Sequence, residues 1–303
     1  MNDLFGHASS TLSGVVVWRA ILAAVSLFNL GAWAMAVASL SGRKASTTPP
    51  EVLAVRRRQI VLSALFVVGC AFRAILPRAD VQRICLHDSF LSSVMVGRSV
   101  ATIAELAFVA QCALLLRGVA KGSGARFLVI ASHLLVPMIG VAEIASWYAV
   151  LTTNYLGNII EESIWALTSG LAVVGFVVMW ARTPRQGRRF LSKAILVGAA
   201  YFTFMCTVDV PGYVSRWSHD QRDGRQYLTL VQGVQDSAQR RVVTHDWTEW
   251  RDEIPWMTLY FSVGVWISIA LTRAPTSSAS YASRTARSAD RARSQSSAAS
   301  SAQ

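Results

Sequence analysis

The chain has 303 residues, of which 53% are hydrophobic and only 15% carry a charged side chain, and its mean hydropathy is +0.39. Soluble globular domains rarely combine these values, so the composition favours an integral membrane protein. The formal net charge of +12 would also suit a nucleic-acid-binding protein. However, the basic residues occur in short blocks between apolar runs, which argues against nucleic acid as a partner.

Seven apolar segments reach or approach the roughly 20 residues that a transmembrane helix requires. In chain order they cover residues 14–40, 60–76, 100–116, 127–151, 164–181, 194–210 and 254–271. The third and sixth segments are short and carry charged residues. The sequence therefore predicts an all-α polytopic membrane protein, a bundle of about seven transmembrane helices that forms one domain over residues 1–273.

The charge of the connectors alternates along the chain. Lys and Arg gather after the first, third, fifth and seventh segments, whereas the other connectors are nearly balanced or acidic. The basic residues are Arg43, Lys44, Arg56, Arg57, Arg58, Arg117, Lys121, Arg126, Arg182, Arg185, Arg188, Arg189, Lys193, Arg273, Arg284, Arg287, Arg291 and Arg293. Because short basic loops stay in the cytoplasm, this pattern predicts an outer N-terminus and a cytoplasmic C-terminus. We expect a multi-pass protein of the plasma membrane, specifically a bacterial inner membrane, in contact with membrane lipids.

Two further segments differ from the spans. Residues 211–253, between the sixth and seventh spans, form a connector far longer than usual and rich in polar and aromatic residues, which predicts an outer cap. Residues 274–303 consist mostly of Ser, Ala and Arg and offer almost nothing apolar to bury. They predict a disordered cytoplasmic tail.

The four cysteines are scattered, with no CxxC pair and no spacing typical of zinc sites. We expect free thiols. Cys85 and Cys206 are the one pair whose predicted positions, on the same side of the membrane, would allow a disulfide.

Ionisable residues collect at the predicted outer ends of the spans. The acids are Glu105, Glu143, Glu161, Glu162, Asp209 and Glu253, and the cations are Arg19, Arg73 and Arg98. If these side chains converge, the acids outnumber the arginines, so some carboxylates remain unpaired even when every arginine pairs with one. The surplus would be protonated, hydrated or neutralised by a bound cation, for which a divalent metal ion is one candidate.

Glu105 is the most informative of these residues. It follows Arg98 by seven positions, so both side chains lie on one side of the helix, separated by about 10 Å along its axis. A charge among lipid tails costs at least about 2.5 kcal/mol, so such a carboxylate must face protein or water. On the fourth span, Glu143 shares a polar strip with Trp147 and with Gly140, which should let another helix approach closely.

These patterns lead to a set of candidate site residues. Glu105 and Glu143 are the catalytic candidates. The candidates for binding a substrate are Arg98, Arg73, Glu162, Asp209 and Trp147.

Each candidate also has a structural interpretation. The arginines could extend to the membrane interface, and Glu161 and Glu162 could stabilise the start of a helix. Glu105 and Glu143 could pair with arginine only to fix helix packing. His133, alone in an apolar context near the predicted inner side, is expected to be a hydrogen-bonded core residue.

Residues 146–170 resemble a motif series of the alkaline-ceramidase family, which are also seven-helix membrane enzymes, through Trp147, Asn154, Tyr155 and Glu161. The resemblance would imply hydrolysis of a sphingolipid with zinc bound by histidines, including a pair in the last span. Here Ser146 replaces the family's aspartate, and the seventh predicted span contains no histidine. We therefore do not assign the chain to this family.

Three classes of function remain open. The leading hypothesis is an outward-facing acidic cavity between the third, fourth, fifth and sixth spans that binds or hydrolyses a lipid-like amphiphile, with a buried carboxylate as acid or base. The first alternative is a proton- or cation-coupled transporter or sensor. The second is a structural subunit of a membrane complex. The sequence contains no dinucleotide-binding, phosphate-loop or serine-hydrolase motif.

Overall fold

The computed structural model of the protein describes residues 2–41, 50–123, 126–182 and 185–274. Within these ranges, seven helices are long and apolar enough to cross a membrane. They cover Gly14–Ser39, Pro50–Ile75, Val94–Gly118, Arg126–Thr152, Tyr155–Arg182, Arg188–Arg222 and Ile254–Leu271. The predicted all-α seven-helix architecture is confirmed. The predicted tail, residues 274–303, lies outside the described residues except for Ala274.

The helices are numbered here in chain order. They are α1 (Asn2–Ser41), α2 (Pro50–Ile75), α3 (Val94–Ser123), α4 (Arg126–Thr152), α5 (Tyr155–Arg182), α6 (Arg185–Phe204), α7 (Val210–Arg222), α8 (Leu230–Gln239), α9 (Trp247–Trp250), α10 (Ile254–Leu259) and α11 (Val265–Leu271). From α1 to α6 each helix packs against the next, and α11 packs against α1, α2 and α3. The sixth spanning helix is peripheral. Only 11% of the residues in its most apolar stretch are buried, whereas 50% are buried in the corresponding stretches of the second and third spans.

A hydrogen-bonded group of polar side chains joins α2, α3 and α11. Nε2 of Gln59 donates to the backbone oxygen of Gln111 at 2.9 Å, and Nε2 of Gln111 donates back to the oxygen of Gln59 at 3.0 Å. Ser268 donates its hydroxyl to Oε1 of Gln111 at 2.6 Å. Interhelical bonds of this kind contribute roughly 0.6–2 kcal/mol each in a membrane. They fix how the three helices align.

Both of the last two spans contain a π-helical turn, Met205–Asp209 in the sixth and Tyr260–Gly264 in the seventh. After the first of these turns the sixth helix continues as α7. The predicted span ends at residue 210, but the helix ends at Arg222, so the first part of the predicted cap belongs to the helix. In the second turn, Nδ2 of Asn29 donates to the Phe261 oxygen at 2.8 Å, which satisfies a carbonyl inside the membrane.

A small sheet joins the loop between α2 and α3 to the cap. β1 (Arg78–Ala79) pairs antiparallel with β2 (Ile84–Cys85), and β3 (Val242–Val243) lies parallel to β2. The Val242 N–H donates to the Arg83 oxygen at 2.9 Å, and the Thr244 N–H donates to the Cys85 oxygen at 3.1 Å. Two connectors that are distant in sequence therefore form one layer over the bundle.

Arg83 anchors this layer to the spans. Its backbone adopts the left-handed region, with φ of 63°, and its side chain is buried. Nε donates to Oδ2 of Asp236 at 2.7 Å, and Nη2 donates to the Val150 oxygen at the end of α4 at 2.8 Å. We call the end of the bundle that carries residues 76–93 and 223–253 the cap end. The opposite end, where α2 begins and α3 ends, is the basic end.

All four cysteines lie in the described residues and are free thiols. Cys85 is buried in the sheet, whereas Cys206 is exposed in the first π turn. The disulfide considered between them is therefore not formed.

Candidate functional site

Three carboxylates from three helices meet at one nitrogen of Arg98. Nη2 of Arg98, on α3, lies 2.7 Å from Oε2 of Glu143 on α4, 3.1 Å from Oε1 of Glu161 on α5, and 3.4 Å from Oε2 of Glu105 on α3. All four residues are between 3% and 6% exposed. One oxygen from each carboxylate lies within 4.8 Å of the other two. Together with Arg73, these residues form what we call the Arg98 cluster.

Arg73 is the second cation of the cluster. Its Nη1, on α2, lies 3.6 Å from Oε1 of Glu105, and the Tyr260 hydroxyl donates to the same oxygen at 3.1 Å. The guanidinium carbon also lies 5.6 Å and 5.7 Å from the ring centres of Tyr260 and Phe261. Such cation–π contacts stabilise a desolvated cation. Glu105 is therefore the link between the cluster and the seventh span.

Neutral donors orient the other two carboxylates. Thr102 donates its hydroxyl to Oε2 of Glu143 at 2.6 Å, and Nε1 of Trp147 donates to the Thr102 hydroxyl at 3.1 Å. Nδ2 of Asn158 donates to Oε2 of Glu161 at 3.2 Å. Because each carboxylate accepts from a fixed neighbour, its direction toward Arg98 is set by the helices.

A close approach of α4 and α5 brings Glu143 and Glu161 together. Gly157 of α5 lies against the backbone of Ala145 and the side chain of Ala149 in α4, where an added Cβ would collide. The expectation that Gly140 would serve this purpose is wrong, since nothing lies within 4 Å of the position its Cβ would take. The close approach of the two helices therefore lies nearer the cap end than Gly140.

Several polar atoms of this region are buried and unpaired. Arg98 Nε, Glu143 Oε1, Ser146 Oγ and Asn158 Oδ1 have no hydrogen-bond partner among the residues that the structure describes. An unsatisfied buried polar atom costs about 1–3 kcal/mol, more when the group is charged. Donors and acceptors are therefore present for a proton or a small polar group at the cluster.

The charges of the cluster do not balance. It contains three carboxylates and two guanidinium groups. Fully ionised, it would carry one uncompensated negative charge in a site closed to solvent, which is strongly unfavourable. A further positive charge would remove this penalty.

A divalent cation does not fit the site as it stands. Oxygen ligands such as these carboxylates suit Mg²⁺ or Ca²⁺. However, Nη2 of Arg98 lies at 2.7–3.4 Å from all three carboxylates and so takes the place that a metal ion would need. We therefore assign no step to the divalent cation considered from the sequence.

The structure separates the predicted site residues into two groups. Glu105, Glu143, Arg73, Arg98 and Trp147 meet in or beside the Arg98 cluster, as described above. Glu162 and Asp209 are only half-buried, and neither forms an ion pair or hydrogen bond with the cluster in the described part of the chain. Glu253 lies in the cap layer, where it pairs with Gln82 at 3.0 Å and with Arg216 at 3.5 Å.

Sequence reasoning omitted Glu161 from the site and chose its neighbour Glu162. The signal that distinguishes them is Gly157, which faces α4. Glu161 follows Gly157 by four positions and so lies on the same face of α5, whereas Glu162 is turned away by about 100°. Tyr260 was also missed, because no local pattern marks a residue that enters the site from the seventh span.

Another buried arginine, Arg78, lies beside the cluster in the cap layer. Nε of Arg78 donates to Oδ1 of Asp80 at 3.0 Å, while Nη1 and Nη2 have no hydrogen-bond partner in the described ranges. The guanidinium lies against Gly97, in the space that a side chain there would occupy. Burial lowers the pKa of Arg78, an effect that Asp80 opposes. Asp80 thus holds this charge above the first turn of α3.

Comparisons of the chain with known protein families, with curated protein sequences and with solved structures find no match. The function is therefore inferred from the chemistry of the site.

Proposed function

We propose that the Arg98 cluster is a proton-binding site within the membrane, and that the protein uses it as a proton-coupled transporter or sensor. The observation that supports this is the meeting of three buried carboxylates with only two guanidinium groups. Ionisable groups at such depth are expensive and mark functional sites by default. When one carboxylate holds a proton, the negative and positive charges of the cluster are equal in number.

Glu105 is the carboxylate best placed to hold that proton. Its contacts with Arg98 and Arg73, at 3.4 Å and 3.6 Å, are the longest in the cluster, whereas Glu143 lies 2.7 Å from Arg98. Short charge-assisted hydrogen bonds stabilise an ionised carboxylate, and Glu143 accepts such a bond from Arg98 together with one from Thr102 at 2.6 Å, whereas neither guanidinium group comes that close to Glu105. Two carboxylates that share a site cannot both ionise easily, which also favours one bound proton.

Loss of the proton would change contacts between helices. A charged Glu105 attracts Arg73 of α2 more strongly and accepts a stronger hydrogen bond from Tyr260 in the π turn of the seventh span. π turns inside helices occur frequently at functional sites. The proton would thus bias how α2 and the seventh span pack against α3.

Binding or hydrolysis of a lipid-like amphiphile is the second candidate. It is favoured by the unpaired atoms Ser146 Oγ, Asn158 Oδ1 and Glu143 Oε1, which a polar head group could satisfy. An amphiphile would reach them only after helices separate, because the carboxylates are almost fully buried. A proton can reach the site without such an opening, and we therefore rank proton binding above amphiphile binding.

The test is infrared difference spectroscopy of the reconstituted protein during a pH titration. Wild type should show a carbonyl band of a protonated carboxyl group whose amplitude changes with pH, and Glu105→Gln should lack it. Glu249→Gln is the control, since Glu249 is exposed in the cap and lies outside the cluster. An unchanged band in Glu105→Gln would contradict the assignment of the proton to Glu105.

The same variants separate the classes of function. A structural ion-pair network predicts that Glu105→Gln changes thermal stability without any change in the pH response. An enzyme acting on an amphiphile predicts release of fatty acid or head group from the reconstituted lipids, lost in Glu105→Gln and kept in Glu249→Gln. A proton-coupled protein releases no such product in either variant.

A further inference from the structure

A groove opens at the basic end of the bundle, far from the Arg98 cluster along the helices. It lies between α2, α3 and α4 and has a volume of about 640 Å³. Arg57 and Arg58 on α2 and Arg117 on α3 line it at the end of the helices, and His133 of α4 also borders it. The expectation that His133 is a core residue is wrong, because its side chain is exposed.

The walls of the groove are apolar. Val61 and Leu62 lie one turn deeper than the α2 arginines, and Leu114 and Val136 line the other sides. On α3 the lining extends from Arg117 back to Ala110, a distance of about 10 Å along the helix. The groove therefore has three cations at its mouth and an apolar channel that runs into the hydrocarbon region.

The arginines have no acidic partner in the part of the chain that the structure describes. Within the described ranges, Arg57, Arg58 and Arg117 take part in no ion pair, and all three are exposed. The sequence explains this, since of the 17 Asp and Glu in the chain only Glu51 and Asp290 follow a span at the basic end. Glu51 precedes Arg58 by seven residues, about 10 Å along α2.

We propose that this groove binds one anionic phospholipid, with the phosphate at Arg57, Arg58 and Arg117 and an acyl chain along Val61, Leu62 and Leu114. Guanidinium groups form bidentate hydrogen bonds with phosphate oxygens. Basic pockets between spanning helices on the cytoplasmic side bind anionic head groups, and the charge pattern predicts that this end is cytoplasmic. This lipid site does not depend on the proposed proton site.

The experiment uses the full-length protein in detergent micelles and native mass spectrometry. Dioleoylphosphatidylglycerol is titrated against dioleoylphosphatidylcholine, which has the same acyl chains and no net charge. The test variant is Arg57→Gln, Arg58→Gln and Arg117→Gln together. The control variant removes three arginines from other helices of the same end, namely Arg182→Gln, Arg189→Gln and Arg273→Gln, all exposed and outside the groove.

Wild type should retain phosphatidylglycerol in preference to phosphatidylcholine. At about 1 kcal/mol for each basic residue near the membrane surface, the test variant should weaken phosphatidylglycerol binding about 100-fold. The control variant should keep the affinity within a few-fold. Equal losses in both variants would overturn the proposal, because they would indicate attraction to the basic surface as a whole.

A second arm distinguishes the lipid from free phosphate. Inorganic phosphate, added to the protein with bound phosphatidylglycerol, should not displace it, because phosphate lacks the acyl chain that the apolar walls receive. Displacement at phosphate concentrations comparable with the lipid would overturn the proposal in favour of a simple anion site. Equal retention of the two phospholipids by wild type would also overturn it.

Discussion

The two ends of the bundle use arginine in opposite ways. At the cap end, Arg98 is 6% exposed and contacts three carboxylates. At the basic end, Arg57, Arg58 and Arg117 are exposed, line a groove and have no acidic neighbour among the described residues. A cation closed off from water needs a counter-charge from the chain itself, whereas one at the surface is free to attract a partner. The difference lies in the placement of acids, not of arginines.

Removing Arg98 should have the largest effect on stability. Arg98→Gln leaves Glu105, Glu143 and Glu161 facing each other, and breaking a buried pair in this way costs about 3–5 kcal/mol. Arg98→Lys should lose less, because it keeps the charge but not the planar group. Arg189→Gln, at the exposed basic end, should stay within about 0.5 kcal/mol. Thermal unfolding in detergent measures all three, and equal effects at both ends would refute the contrast.

A smaller effect should follow from filling the space beside Gly97. Gly97→Ala places a methyl group where the Arg78 guanidinium lies, and overpacking of this kind costs about 1–3 kcal/mol. Gly140→Ala is the matched control, since its Cβ would meet nothing within 4 Å and alanine favours a helix. We expect Gly97→Ala to melt at a lower temperature than wild type and Gly140→Ala to melt at the same or a higher one. The opposite order would mean that Arg78 is not held against Gly97.

The smallest effect concerns pH and the cap layer. Desolvation lowers the pKa of His87, and repulsion from Arg19 and His245 lowers it further. The unfolded chain, with an ordinary histidine pKa of about 6.5, therefore binds the proton more readily than the folded one. Stability should decrease as the pH falls through about 6.5 and level off below the folded pKa. His87→Gln should reduce this dependence in melting curves recorded from pH 8 to about pH 5, and an identical slope would rule out His87 as its source.

The spans could be predicted from the sequence because a long apolar run is a local property. The sixth span was cut short at residue 210, since Pro211 and Gly212 usually end a helix. In the structure the π turn Met205–Asp209 ends two positions before the proline, and the helix continues to Arg222. The sheet gave no signal, because strands of two residues have no periodicity to detect.

The site could be predicted only in part. Glu105 and Arg98 lie on one helix, so helical geometry relates them. Glu143 is identified because it is an acid within an apolar segment that is long enough to span the membrane. The convergence of α4 and α5, which selects Glu161, depends on how Gly157 packs against another helix. The partner of Glu105 in the seventh span, Tyr260, is 155 residues away, and no rule of spacing connects them.

The weak attachment of the sixth spanning helix determines from which side the carboxylates can be approached. The cap is held by backbone hydrogen bonds to the loop between α2 and α3 and by the Arg83–Asp236 pair, so it is poorly suited to lift away. The sixth helix packs mainly against α5, the helix that carries Glu161, and is the least enclosed of the seven. Because Arg216 of α7 pairs with Glu253 of the cap layer, we expect that any gate in this protein opens sideways, toward the bilayer, by movement of α6 while α7 and the cap stay in place.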